Sequence, residues 1–258
     1  MNSFKSSSSS SSLLGVQSSS IIIIIITIII MAWFCTGATN TELISNLMRN
    51  GLINSETVAA ALMSVDRANY VLDKRHAYQD SPQSIGHDAT ISAPHMHAHA
   101  AELLLPYLRR GARVLDVGAG SGYLTSVFHH IIGAQGGGGT VVGIEHISAL
   151  TSLAERNIRA DGLGNAIDQQ AIVLVTDDGR LGYAEKGPYD AIHVGAAART
   201  IPPALVEQLA SPGRMIIPVG SYHQKLMQID KDERGEVTQR DLFGVVYVPL
   251  TDRPKGVA

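Results

Sequence analysis

Cysteine is nearly absent from this 258-residue chain: Cys35 stands alone. One cysteine excludes an intrachain disulfide framework and a cysteine-based zinc site. Charge is sparse too, at 17% of residues with a net of -3. There is no basic excess of the kind that draws nucleic acid, so no nucleic-acid partner is expected. A bilayer-spanning run is also missing. The apolar stretch from Ile21 to Cys35 is about 15 residues, short of the roughly 20 that a membrane helix needs. No internal repeat is visible. What remains is apolar to 45% and long enough for one α/β domain with a full core.

The first thirty residues differ from the rest. Ser6 to Ser12 is unbroken serine, and Ile21 to Ile30 is isoleucine except for Thr27. Such sequence has no amphipathic period. Lys5 ahead of an apolar run permits a signal-peptide reading, with a poor cleavage site near Thr36-Gly37-Ala38. The competing reading, which the downstream sequence favours, is an extension ahead of a start at Met31. Residues 1–30 are therefore set apart as a low-complexity extension, and the localisation expected is cytoplasmic. A secretory or membrane-associated protein is the alternative if the isoleucine run acts as a signal or anchor. Trp33 and Phe34 either pack on the core or prolong that run.

Periodicity then predicts the elements. Thr41–Asn50 and Ser55–Val65 carry apolar residues at helical spacing and form an N-terminal cap. Residues 70–93 show no period and are expected to be loop. Pro94 suits the first turn of a helix running to Arg110 and closed by Gly111. Strands are expected at 113–118, 140–145, 171–176, 189–194, 214–219, 225–230 and 244–250. Helices are expected at 121–132, 148–160 and 203–209, and Gly136–Gly139 as a flexible loop. Strand–helix alternation argues a doubly wound, mainly parallel sheet, and the helix-poor end an antiparallel edge.

The chemistry concentrates in Leu115-Asp-Val-Gly-Ala-Gly-Ser-Gly-Tyr123, at the first strand-to-helix turn. Gly118, Gly120 and Gly122 allow positive φ and close approach of a ligand to the backbone. The helix start behind them favours anionic or polar ligand groups. Glu145 ends the second strand, where a carboxylate accepts ribose hydroxyls. Asp178-Gly179 end the third, where an adenine edge would lie. A dinucleotide fingerprint needs a glycine where Tyr123 stands. Asp116, just ahead of the glycines, would repel a pyrophosphate and tolerate a sulfonium amino acid. The pattern resembles the S-adenosylmethionine-dependent methyltransferases.

Longer blocks narrow this. "MAWFCTGATNTELISNLMRNGLI", "DSPQSIGHDATISAPHMHA", "LDVGAGSGYLT", "DDGRLGYAEKGPYDAIHVGAAA" and "GVVYVPLTD" together resemble the protein-L-isoaspartate (D-aspartate) O-methyltransferase family over residues 31–254. The resemblance implies a Rossmann-like methyltransferase domain over 31–258, with a cap and lid at 31–111 and the cofactor-binding sheet at 112–258. It implies S-adenosylmethionine as methyl donor and isoaspartyl- or D-aspartyl-containing proteins and peptides as substrates. It also implies a monomer without a metal. Ser92 is the active-site residue it implies. The cofactor contacts it implies are Ala89, Thr90, Ile91, Ser92, His97, Asp116, Gly118, Gly120, Ser121, Gly122, Glu145, His146, Asp178, Gly179 and Thr251. The chain departs from the family's usual residues at Asp177 (usually Gly), at Ser211-Pro-Gly213, in the longer Gly136–Gly139 loop and in the tail after Thr251.

On this resemblance the stretch Ala89–His97 is a lid over the methyl donor. Two other readings compete. His95, His99 and Glu102 share a helix face and permit a metal, although the transfer needs none. Ser92 with a histidine permits a nucleophile pair, although no G-x-S-x-G context surrounds it. Asp190 is read as positioning the sheet end, and His193 as a hydrogen-bonded core histidine. A methyltransferase fold that only binds damaged protein, and a membrane-anchored interaction protein, are the rival functions.

Overall fold

Helix α1 (Asn40–Arg49) starts at a cap of the Thr-x-x-Glu kind. Thr39 Oγ1 accepts the Glu42 N–H at 3.2 Å, and Glu42 Oε2 accepts the Ala38 N–H at 2.8 Å. Ser55 caps α2 (Glu56–Ser64) through the Val58 N–H. A computed structural model describes residues 35–134 and 136–251. The extension 1–30, Met31, Trp33, Phe34 and the tail beyond Thr251 lie outside the described residues.

The stretch expected to be loop holds a hairpin. Strands β1 (Gln83–Gly86) and β2 (Ala89–Ile91) pair antiparallel. His87 and Asp88 turn the chain with φ of 53° and 56°, the left-handed pair that a tight hairpin turn needs. Strands of four and three residues are too short to display a period, so alternation could not reveal them. Helix α3 (Pro94–Leu104) starts where Pro94 predicts. It ends well before Arg110, tightening into a 3-10 turn at Leu105–Tyr107. Pro106 has no N–H to continue the ladder.

From Gly111 onward the alternation follows closely. β3 (Arg113–Val117) leads to α4 (Tyr123–Ala134) and β4 (Thr140–Glu145). Next come α5 (Ser148–Ile158) and, after a π turn at Arg159–Leu163, α6 (Gly164–Asp168). Gly162, at φ 87°, lies past the helix expected at 148–160 and kinks the chain into the short α6, which the period does not predict. β5 (Ile172–Thr176), β6 (Tyr189–Val194), α7 (Pro203–Glu207) and β7 (Leu209–Val219) follow. The chain closes with β8 (Gln224–Lys231) and β9 (Val237–Val245).

Seven strands form one sheet in the order β5-β4-β3-β6-β7-β8-β9. β3 to β7 are parallel, and β8 and β9 are antiparallel. Alternate residues of β3 feed the two sides: Val114 joins the layer with α4, while Leu115 and Val117 join the layer with Leu205 and Ile217. The last strand differs from expectation. Thr238-Gln239-Arg240-Asp241 of β9 are polar and exposed, as an outer edge strand allows. The apolar residues after Val245 instead cross to the end of β6. There the Ala197 N–H donates to Val248 O, and the Leu250 N–H to Ala197 O, each at 2.8 Å.

The strand order reverses at β3: β4 and β5 lie on one side, β6 and β7 on the other. A crevice opens beyond the carboxyl end of the sheet at such a switch point, and ligands bind there in open α/β sheets.

Candidate active site

The turn after β3 fills that crevice. Gly118, Gly120 and Gly122 take φ of 78°, 55° and 87°, values costly for any residue with a Cβ. The Gly118 and Ala119 amides both donate to Ile144 O, at 2.8 and 3.1 Å, which folds the turn back on β4. A Cβ on Gly120 would lie 3.1 Å from Ile85 of the hairpin, and one on Gly122 only 3.0 Å from Ile158 of α5. The glycines therefore let the lid and the next helix close on the turn.

One cavity gathers the lid and the turn. Thr90, Ile91, Ser92 and His97 line it from the lid side, and Asp116, Gly118, Gly120 and Ser121 from the turn. Its other walls come from Ala119, Tyr123, Leu124, His193 and Gly195, which the sequence reading had not placed in the site. Ala89, Gly122, Glu145, His146, Asp178, Gly179 and Thr251 are not among the residues lining this cavity.

Several of these lie directly behind its wall. Glu145 Oε2 accepts the Gly120 N–H at 3.1 Å, and Oε1 accepts the Ile147 N–H at 3.1 Å. His146 Nδ1 lies 3.1 Å from the same Oε1. A carboxylate has about four acceptor sites, so Glu145 keeps capacity for a ligand. Asp178 forms a two-oxygen pair with Arg180 at 2.6 Å, and that hydrogen bonding lowers its pKa. A Cβ on Gly179 would meet Val117 at 2.5 Å, so glycine is required there. The departure at Asp177 is absorbed locally: its side chain is exposed and accepts the Asp178 N–H at 2.7 Å. Thr251 is exposed.

Asp116 lines the cavity with its carboxylate already engaged by protein. Its Oδ2 accepts the Thr125 hydroxyl at 2.6 Å, and its Oδ1 lies 2.8 Å from His193 Nδ1. Both oxygens of this buried carboxylate are engaged by protein. His193 is 7% exposed and hydrogen-bonded, as a core histidine would be, yet its ring also lines the cavity. Register supplies the missing signal, because Asp116 and His193 are lateral partners on adjacent parallel strands.

Arg67 was also missed. It is fully buried, and burial lowers its pKa to about 10. Its Nη2 donates to Ser92 O at 2.9 Å, its Nη1 lies 3.5 Å from His97 Nδ1, and its guanidinium sits over the Tyr123 ring. Burial, reinforced by Arg67, holds His97 well below the usual histidine pKa. Burial pushes the Tyr247 phenol up to about 12, and the neighbouring Ser92 side chain opposes that rise.

The residues of the metal reading have other partners. His95 Nδ1 pairs with Asp80 at 2.8 Å, His99 stacks near Phe243, and Glu102 accepts the Asn54 and Ser55 amides at 2.8 Å each. No cluster of three or more metal-ligating side chains occurs among the described residues. Asp190 accepts the Arg113 N–H at 2.9 Å and an Arg109 N–H at 3.2 Å, at the far end of the sheet from the cavity.

The family model "Protein-L-isoaspartate(D-aspartate) O-methyltransferase (PCMT)" matches residues 38–255. Protein-L-isoaspartate O-methyltransferase 1 of Arabidopsis thaliana is 46% identical over 214 residues, covering 83% of this chain and 92% of the relative. The Caenorhabditis elegans enzyme is 48% identical over 225 residues, covering 86% and 97%. Among solved structures, a Plasmodium falciparum protein-L-isoaspartate O-methyltransferase in complex with S-adenosyl-L-homocysteine superposes with a TM-score of 0.77 at 33% identity. It covers 83% of this chain and 99% of that one. With a switch-point cavity bounded by a glycine turn and a hairpin lid, and with relatives matched over most of its length, the chain belongs to the protein-L-isoaspartate (D-aspartate) O-methyltransferase family.

Proposed function

We propose that the cavity binds S-adenosylmethionine and positions the α-carboxylate of an L-isoaspartyl residue, or the side-chain carboxylate of a D-aspartyl residue, for methylation. One observation carries this reading: Ser92 and His97 of the lid share a cavity with Gly118, Gly120 and Ser121 of the turn. The residues present fit the donor. Three glycines clear the backbone, Glu145 keeps acceptor capacity behind Gly120, and no Cβ narrows the approach at Gly118, where the nearest heavy atom would be 3.8 Å away.

The bound donor supplies an electrophilic methyl group on a sulfonium. The protein's own task is mostly alignment. A carboxylate with a pKa near ~4 is already ionised at neutral pH and needs no base. The Ser92 hydroxyl donates to one carboxylate oxygen and leaves the other free to attack. The lid excludes water, and orientation of this kind supplies much of an enzyme's rate. A neutral hydroxyl suits the task, because a stronger donor would quench the nucleophile. The methyl ester then cyclises: the following backbone nitrogen attacks the ester carbonyl and methanol leaves. Hydrolysis of the succinimide returns part of the chains to normal aspartyl linkage.

The test is transfer of a labelled methyl group to an isoaspartyl peptide, with the aspartyl isomer as control. Labelling of the isoaspartyl peptide alone is expected, and none would refute the reading. The substrates are damaged proteins and peptides, and the chain acts as a cytoplasmic monomer without metal or nucleic acid. No helix among the described residues is long and apolar enough to cross a membrane. Gel filtration and fractionation of a tagged full chain check those two properties.

A further inference from the structure

Arg67 is an unusual residue to find at 0% exposure. It makes no ion pair among the described residues, and its Nε takes no hydrogen-bond partner. The Asp80 carboxylate lies near enough to raise its pKa, yet it makes no ion pair with Arg67, and its Oδ1 meets the His95 amide and ring. Burying a cation without a paired anion is costly. A side chain held there for packing alone would be apolar.

Its contacts show what the cation does. Nη2 holds the Ser92 carbonyl at 2.9 Å and reaches the Ser81 carbonyl at 3.4 Å. One group thus ties both flanks of the hairpin to the turn that carries Arg67. Nη1 meets His97 Nδ1 at 3.5 Å. A guanidinium only donates, so Nδ1 of His97 must accept and its proton must sit on Nε2. That nitrogen is on the opposite side of the ring and has no protein partner among the described residues, while the ring lines the cavity. His193 is the reverse case. Its Nδ1 faces the Asp116 carboxylate at 2.8 Å, so Nδ1 carries a proton there.

We infer that Arg67 is a positioning residue: it fixes the backbone at Ser92 and locks His97 as a neutral Nε2–H donor facing the cavity. The inference rests on the proposed function for what the donor meets, but the tautomer itself does not. A donor of this kind suits a carboxylate. Two carboxylates enter this cavity, that of the methyl donor and that of the substrate.

Nitrogen NMR of histidine-labelled enzyme, with His97→Gln to assign the signal, reads the tautomer without any activity. Wild-type His97 is expected as Nε2–H, and an Nδ1–H form overturns the inference. Arg67→Met should shift the tautomer towards Nδ1–H and lower kcat/KM about tenfold to hundredfold. Arg67→Lys, a donor of the same charge but without the fork, should keep the tautomer and recover part of the rate. Weaker binding of S-adenosylhomocysteine in Arg67→Met assigns the His97 donor to the methyl-donor carboxylate. A raised KM for the isoaspartyl peptide with unchanged binding assigns it to the substrate. An unchanged tautomer and unchanged kinetics in Arg67→Met overturn the inference. If the wild type neither binds S-adenosylhomocysteine nor methylates the peptide, the function falls while the tautomer result stands.

Discussion

The Tyr247 phenol lies beside the Ser92 side chain, so the last extended segment of the fold touches the lid. Gln224 clamps Tyr247 from both sides of its peptide: Oε1 accepts the Tyr247 N–H at 2.6 Å, and Nε2 donates to Tyr247 O at 3.0 Å. Burial pushes the phenol up to about 12, so it keeps its proton at neutral pH. A hydroxyl beside Ser92 can orient that side chain. Tyr247→Phe should lower kcat about threefold to tenfold, the scale of one neutral hydrogen bond. S-adenosylhomocysteine affinity should not move. An unchanged kcat would show that Ser92 is oriented by something else.

Ser92 itself should matter more. Ser92→Ala removes the hydroxyl proposed to hold the substrate carboxylate, and losing a charge-assisted bond worth ~1.5–3 kcal/mol should cost about tenfold to hundredfold in rate. Steady-state kinetics with an isoaspartyl peptide measure this. Mass spectrometry during turnover should find no methyl or acyl group on Ser92. A covalent adduct would revive the nucleophile reading. In the double variant with Tyr247→Phe the second change should cost little, because the two act through one hydroxyl.

Acid should destabilise the fold through its histidines. His97, His99, His129 and His130 all have lowered pKa values, with burial as the largest cause. Unfolded, each returns to about 6.5. The unfolded state then binds more protons below that value, so stability is full above it and falls as pH drops. Thermal midpoints should decline from about pH 7 towards 5.5, before carboxylates titrate. His97→Gln should flatten the decline, although it sits at the site and will alter turnover. A midpoint flat across that window would contradict the assignment.

The parts of this protein that repeat regularly were legible in its sequence. β3, β4, β5 and β6 are predominantly apolar, and the glycine turn after Val117 has its own spacing. What escaped has no such signature. The hairpin β1–β2 is too short for a period and depends on left-handed backbone at His87 and Asp88. The end of α3 was set by Pro106 and not by Gly111. Arg67 and His193 look bland in one dimension, since one precedes Ala68 and Asn69 in a short turn and the other sits inside a mostly apolar strand. Their roles arise from lateral contacts: Asp116 with His193 across a parallel pair, Arg67 with Ser92 across a loop. Only tertiary structure creates such pairs. β9 was misplaced because its exposed edge carries polar residues, while the apolar Tyr247-Val248-Pro249-Leu250 segment docks on β6.

Residues 1–30 should be dispensable for turnover. They lack any amphipathic period and precede the family match, which begins at residue 38. Residues 31–258 should methylate an isoaspartyl peptide at the rate of the full chain. A folded truncation that has lost most of its turnover would place the extension in the catalytic domain.

Glu145 braces the glycine turn and is proposed to hold the ribose of the methyl donor, and the two roles can be separated. Its carboxylate holds the Gly120 and Ile147 amides, at 3.1 Å each, and so braces the glycine turn. Its remaining acceptor capacity is what the proposal assigns to the ribose hydroxyls of the methyl donor. Glu145→Ala loses both, so weaker S-adenosylhomocysteine binding alone is ambiguous. A charge-assisted acceptor is worth ~1.5–3 kcal/mol, about tenfold to hundredfold in affinity. The ambiguity lifts when the ligand is changed as well. The wild type should bind the 2′-deoxy analogue of S-adenosylhomocysteine much more weakly than the parent, because the acceptor loses its partner. Glu145→Ala should bind the two alike, since it no longer has the acceptor. If calorimetry finds the variant still penalising the deoxy analogue as the wild type does, some other group holds the ribose and Glu145 only braces the turn.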